Sequence, residues 1–482
     1  MHWRFSDYIY PLQWTALAVL CLTACAPEVS EPPKPLWNKG VYIPASEQTP
    51  GDPFKGEQYI TTKAYVSCGI PFNAFGALRF LTPVTRDEPL PGRGGPESWL
   101  PYNWNYYVTP DNVEMAVPNC LGCHASHFNG KLVIGLGDTE GDYTVDYGMV
   151  SGMAEFMKIT EGYILTERET DELEKFVSRT KTLSGFTKMR TVGSNPADAI
   201  GTQLFRRRDR HTLAWSDEPL LPLPDYPPVP LDVPPWWRMR KKNAQFYNGM
   251  GRGELKRLMM SASSLCVDTN EDARAIDAYF NDVRAYIASL RPPTYPFAID
   301  SDKADLGEDV FAANCAGCHG SYGENESYPN LLFPSSVIGT DNVYASAHTL
   351  ATDYVEWYNE SFWGEIAYLE PYDGYVAPPL DGIWATAPFL HNGSVPTLAA
   401  LLDSSTRPTY WRRRSYDSRQ FDQEALGWPY DTLDYGQDVA SDDERKFIYD
   451  TTQFGHGKGG HTFGDHLTAR ERRALIEYLK TL

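Results

Sequence analysis

The apolar pattern of this chain is clearest at two places, and they echo each other. In residues 467–482, Ala474, Leu475, Tyr478, Leu479 and Leu482 recur at the spacing of a helix with one apolar face. Residues 273–290 close an earlier stretch in the same way, and Tyr286-Ile287-Ala288-Ser289-Leu290 matches Tyr478-Leu479-Lys480-Thr481-Leu482 in character. A further helix is predicted over residues 305–314. Three proline-rich stretches punctuate the rest. Residues 26–50 read as a tether, 220–235 as an extended loop, and 291–300 as a linker between halves. The apolar run from Trp14 to Cys25 is too short and too early for a stable membrane span. The pattern therefore predicts a mainly α chain with long loops and little β structure. Its parts are a signal at 1–25, a tether at 26–50, a first domain at 51–290, the linker, and a second domain at 301–482.

The signal reading comes from Leu22-Thr23-Ala24-Cys25, which resembles the lipobox of bacterial lipoproteins and would make Cys25 a lipidated first residue. Ordinary cleavage nearby is the alternative, and both export the chain to the periplasm or cell envelope. The formal charge of −20 argues against nucleic acid and anionic membrane surfaces as partners. It suits steering of a basic redox protein, or simply a solvated acidic surface.

The candidate chemistry lies in the cysteines. Cys120-Leu121-Gly122-Cys123-His124 and Cys315-Ala316-Gly317-Cys318-His319 both read Cys-x-x-Cys-His, the attachment signature of haem c. Two thiols one helical turn apart can add to the two vinyl groups of one porphyrin, and the adjacent His124 or His319 then offers its imidazole to the iron. A zinc site would need further soft ligands nearby. Of the eight cysteines, four lie in these motifs and Cys21 and Cys25 in the signal. Cys68 and Cys266 remain, and they are expected to pair in an oxidising compartment, with two separate buried thiols as the alternative.

What each iron does depends on its sixth ligand. No methionine follows Met260, so in the second half the candidates are His348, His391, His456, His461 and His466. His461, on the glycine-rich stretch Gly459-Gly460-His461-Thr462-Phe463-Gly464, is the chosen one; a loop histidine or a propionate contact is the competing reading. For the first haem the candidates are His127, His211, Met115, Met149, Met153, Met157, Met239, Met250, Met259 and Met260. None stands out. Trp236, Trp237, Phe246 and Tyr247 could line a distal pocket, carry electrons between haems, or simply pack the core. The basic run Arg238, Arg240, Lys241 and Lys242 could pair haem propionates. Carboxylates in residues 135–142 could hold calcium, though without a recognised loop.

The segments Pro378-Pro379-Leu380-Asp381-Gly382-Ile383-Trp384-Ala385-Thr386 and Ala387-Pro388-Phe389-Leu390-His391-Asn392-Gly393-Ser394 resemble di-haem enzymes of the bacterial cytochrome c peroxidase superfamily, within it the rubber-oxygenase-like branch. The resemblance covers most of residues 230–482. It implies two class I cytochrome c-like haem domains. It departs from the peroxidases at Ser405, fourteen residues beyond His391, where they place a methionine ligand. The rubber-oxygenase-like branch pairs its second haem with two histidines, and His461 matches the second of them. The resemblance also implies that the first haem carries the chemistry on a hydrophobic small-molecule or polymer substrate, and that calcium lies between domains in some relatives. The expected protein is thus a di-haem oxidoreductase whose first haem activates oxygen or peroxide and whose second relays electrons. The alternative is a non-catalytic electron-transfer cytochrome.

Overall fold

The computed structural model describes residues 37–78, 88–146, 152 and 165–482. The signal, Cys25 and the start of the tether lie outside the described residues, as do Met149, Met153 and Met157.

Four helices frame the molecule as two crossed pairs. Helix α1 (Pro53–Thr62) packs against α2 (Asn270–Ser289), and α3 (Ser301–Asn314) packs against α4 (Ala469–Leu479). Each start is set by its cap. The Asp52 carboxylate accepts from the N–H groups of Phe54 and Lys55, with Pro53 at the first helical position. Reciprocal capping boxes open α2 (Thr269 with Asp272) and α4 (Thr468 with Glu471). The inward face of α2 is Ala273, Ile276, Phe280, Val283, Tyr286 and Ile287, the helical spacing expected from the sequence.

The two crossings are built alike. A Cβ added to Gly56 of α1 would lie 2.0 Å from the Asp282 carbonyl oxygen and 2.8 Å from the Tyr286 Cβ. One added to Gly307 of α3 would lie 2.1 Å from the Ala474 carbonyl oxygen and 2.8 Å from the Tyr478 Cβ. Each pair therefore needs a glycine where the backbones meet, under a tyrosine one turn beyond the contacted carbonyl. The repeat seen at Tyr286 and Tyr478 is thus a repeat of helix crossings. It adds a first-half helix, α1, that the sequence reading did not single out.

The expectation of a mainly α protein is corrected by the rest of the chain. The structure is mixed, 39% helix and 14% strand in five small sheets. β1 (Val41–Tyr42) lies antiparallel to β4 (Leu331–Pro334), which also pairs with β5 (Gly374–Val376). β2 (Trp104–Val108) and β3 (Glu114–Pro118) form a hairpin. These strands are two to five residues long, too short to show alternation in sequence. Their aromatic and β-branched residues pair wherever extended loops run side by side. The last part of the stretch read as a tether has a place in the fold, since Ile43 is buried with Ala244, Leu332 and Val376.

The two largest cores exchange residues across the 291–300 linker. One gathers Leu121, Trp236, Phe280 and, from the second half, Trp363. The other gathers Phe311, Trp384, Leu475 and, from the first half, Phe128 and Trp237. A disulfide joins Cys68 to Cys266, with 5.5 Å between their Cα atoms and 198 residues between them in sequence.

Gly307→Ala and Gly56→Ala should each destabilise the protein by about 1–3 kcal/mol, the usual penalty for overfilling a packed contact. Thermal melts followed by circular dichroism check this. A midpoint equal to that of the parent protein would mean the crossings are not tight.

Candidate haem sites

Each Cys-x-x-Cys-His motif forms one tight helical turn. The His124 N–H donates to the Cys120 carbonyl at 3.1 Å, and the His319 N–H to that of Cys315 at 3.0 Å. The turn puts both thiols of a motif on one side and aims the imidazole inward. Burial pushes the Cys120 and Cys315 thiols up to about 12, with the partner thiol adding to the effect. Among the described residues no cluster of three metal-ligating side chains exists.

A proline carbonyl faces each proximal histidine. The His319 Nδ1–H donates to the Pro378 carbonyl at 2.8 Å, which leaves Nε2 as a free base for a metal. Burial lowers the His319 pKa, partly offset by this hydrogen bond. Burial takes His124 down to about 4 against the opposing influence of the Pro234 carbonyl. Its Nδ1 is buried and makes no hydrogen bond. Both carbonyls belong to Pro-Pro pairs, Pro234-Pro235 and Pro378-Pro379, so the second half repeats the first here too.

Beyond the proximal rings the two sites differ. The centroid of the His461 ring stands 6.2 Å from that of His319. A metal–imidazole bond of about 2 Å on each side, extended by the two ring radii, puts trans imidazole centroids roughly 6 Å apart. The separation therefore leaves room for one metal ion between the two imidazoles, which His319 and His461 would hold. His461 has a positive φ of 45°, uncommon for a residue other than glycine. The loop holds it there from both sides. Its N–H donates to the Ile338 carbonyl at 2.9 Å, and its carbonyl accepts from Arg407 at 2.9 Å. Arg407 also donates to the carbonyls of Lys458 and Gly460, at 2.9 and 2.6 Å. A Cβ at Gly460 would come within 2.1 Å of Gly339, so only glycine lets the loop approach this closely. Burial, with His319 and Arg407 nearby, lowers His461 to about 3, so the ring stays neutral and able to bind a metal.

The other second-half histidines have different neighbours. His348 bonds Asp198 at 2.7 Å and His466 bonds the Asn314 side chain at 2.9 Å. His456 receives the edge of Tyr449 at 5.3 Å. His391 stacks on Tyr375 at 4.3 Å.

At the first site, no second histidine ring faces His124 among the described residues. Its ring neighbour is Trp236, stacked at 4.8 Å. His127 bonds Glu88 at 2.8 Å, and His211 lies exposed on a loop. Met115 is fully buried beside Val113 and Val117, and Met260 is buried in the first core. Met250 is buried, while Met239 and Met259 flank that core.

The four aromatics read as one pocket lining are dispersed. Trp236 lies on the proximal ring, whereas Trp237 points into the other core and donates its indole N–H to the Asp381 carbonyl at 2.8 Å. Consecutive residues of the 3₁₀ turn Trp236–Lys241 point about 120° apart, which separates the two. Phe246 packs against Gly251, and Tyr247 donates to the Asp232 carbonyl at 3.0 Å.

Of the basic run, Arg240 and Lys241 pair with Glu326 and Asp381, and Arg238 bonds the Asp381 carbonyl and the Thr386 hydroxyl. Lys242 makes no ion pair among the described residues, and burial beside Arg238 lowers it to about 8. Arg238 also lies near the Asp381 and Asp232 carboxylates, so Lys242 is the cation of this run with no carboxylate partner among the described residues. The carboxylates considered for calcium are partly neutralised, Glu140 by Arg413 at 3.5 Å and Asp142 by Lys446 at 2.8 Å.

Residues 374–412 match the RoxA-like, cytochrome c-like family. That segment includes Pro378, whose carbonyl orients His319, and the match implies covalently bound haem c. Two uncharacterised proteins of Sinorhizobium fredii (strain NBRC 101917 / NGR234) are similar to the chain. Protein y4iM is 28% identical over 300 residues, covering 54% of this chain and 66% of its own length. Protein y4iJ is 32% identical over 261 residues, covering 40% of this chain and 41% of its own. The chain thus spans less than two thirds of either relative.

Arg407→Gln should free the loop that carries His461, removing up to five charge-assisted hydrogen bonds at an expected loss of about 3 kcal/mol. Limited trypsin digestion should then cut after Lys458. A digestion pattern identical to the parent's would show that the loop is held by something else.

Proposed function

We propose that the chain is an exported di-haem c-type cytochrome working as an oxidoreductase, with two haems of unequal role. When bound, a haem iron with an open position activates oxygen or peroxide, and a six-coordinate bis-imidazole iron stores or passes an electron. Cys120 and Cys123 would hold the first haem and His124 would bind its iron, with Trp236 stacked behind the imidazole to fix its plane. Cys315, Cys318 and His319 would hold the second, with His461 closing the opposite position and Arg238 and Lys242 meeting its propionates. What carries the reading is one contrast: His319 has a second imidazole 6.2 Å across from it, and His124 has an indole stacked on its ring instead. A periplasmic setting, a lipid anchor at Cys25 and a hydrophobic substrate at the first haem belong to the same proposal.

Absorption and electron paramagnetic resonance spectra of the ferric protein should show one high-spin and one low-spin haem. His461→Ala should turn the second haem high-spin while leaving two haems attached. Two low-spin haems indifferent to cyanide, peroxide and oxygen would instead establish a pure electron carrier. An unchanged His461→Ala spectrum would remove His461 as ligand.

A further inference from the structure

The two attachment motifs also differ on their outer faces. At Gly122 a Cβ would meet only the Asn103 side chain, at 3.8 Å. At Gly317 it would lie 2.6 Å from Cε3 and 2.7 Å from Cδ2 of Trp37, so the indole rests directly on the backbone between Cys315 and Cys318. Trp37 is nevertheless 41% exposed. It is held by the strap that follows it: β1 pairs with β4, the Ile43 N–H donates to the Asn330 carbonyl at 2.9 Å, and the Ile43 carbonyl accepts from Asn243 at 2.9 Å. One side of an aromatic ring thus touches the second haem's attachment loop while the other meets solvent.

The surface leading to that loop is acidic. Helix α3 runs straight into Cys315 and presents Asp302, Asp305, Glu308 and Asp309 to solvent. Its one lysine, Lys303, is paired with Asp300 at 2.6 Å, and Lys39 is the exposed cation on the strap. With a net charge of −20, the chain favours a positively charged partner here.

We propose that Trp37 and the acidic face of α3 form the docking site for a small basic redox protein, and that electrons enter the second haem beneath the indole. The proposal rests on the electron-relay role given to that haem. In the step, a reduced monohaem cytochrome loses one electron and the second haem iron gains it, with no bond or proton moving.

The test is stopped-flow mixing of the oxidised di-haem protein with a reduced, basic, monohaem cytochrome c. The second-order rate should fall steeply with added salt, and an acidic monohaem cytochrome should react more slowly. Trp37→Ala should reduce the rate by about tenfold, as truncating a central aromatic contact does. Its haem spectra and its reduction by dithionite should match the parent's. Glu308→Gln/Asp309→Asn, whose side chains are exposed on α3, should flatten the salt dependence even if Trp37→Ala folds poorly. A salt-independent rate, or rates unchanged in both variants, would overturn the docking site. Failure of the relay role itself would show separately, as a second haem that is not low-spin in the unmodified protein.

Discussion

The constraint on which this molecule turns is the distance between two imidazoles. His319 and His461 come from segments far apart in sequence, yet their ring centroids are held 6.2 Å apart. A metal ion held between them would leave little slack, about 2 Å on either side. Each ring is fixed by main-chain groups. Pro378 sets the tautomer of His319, and Ile338 and Arg407 grip the peptide of His461. The positive φ of His461 and the close approach of Gly460 to Gly339 are the strains that this placement requires. An arrangement so held at both ends would, in the proposed function, suit an iron that changes charge without changing ligands.

The first unit shows the same construction turned to another end. A glycine-and-tyrosine helix crossing, a single-turn Cys-x-x-Cys-His motif and a proline carbonyl facing the histidine all recur. Among the described residues, what does not recur is the second histidine ring across the site. In its place the first unit sets Trp236 behind His124 and adds a long insertion carrying the β2–β3 hairpin and Cys68. The adjacent indoles of Trp236 and Trp237 lie in different cores, so the turn that carries them ties the two units together.

Much of the site could be read from the chain because its chemistry lies in contiguous residues. The attachment motifs need no fold to be recognised, and the absence of methionine beyond Met260 narrowed the second-half ligand candidates to histidines. The pairing of Cys68 with Cys266 followed from counting thiols. The proline carbonyls were harder to see, since a main-chain acceptor has no side-chain signature, although the repeated Pro-Pro pairs marked them. The grouping of Trp236, Trp237, Phe246 and Tyr247 failed because closeness in sequence does not survive a 3₁₀ turn. The β content was hidden because its strands are too short to alternate. Helix α1 was hidden because its glycine, needed at the crossing, weakens the helical signal.

Carbon monoxide binding to the fully reduced protein tests the inequality of the two sites most directly. The ligand needs an open ferrous position, so the account predicts one carbon monoxide bound per chain carrying two haems. Two bound per chain would contradict the closure of the second site by His461, and none would contradict an open first haem.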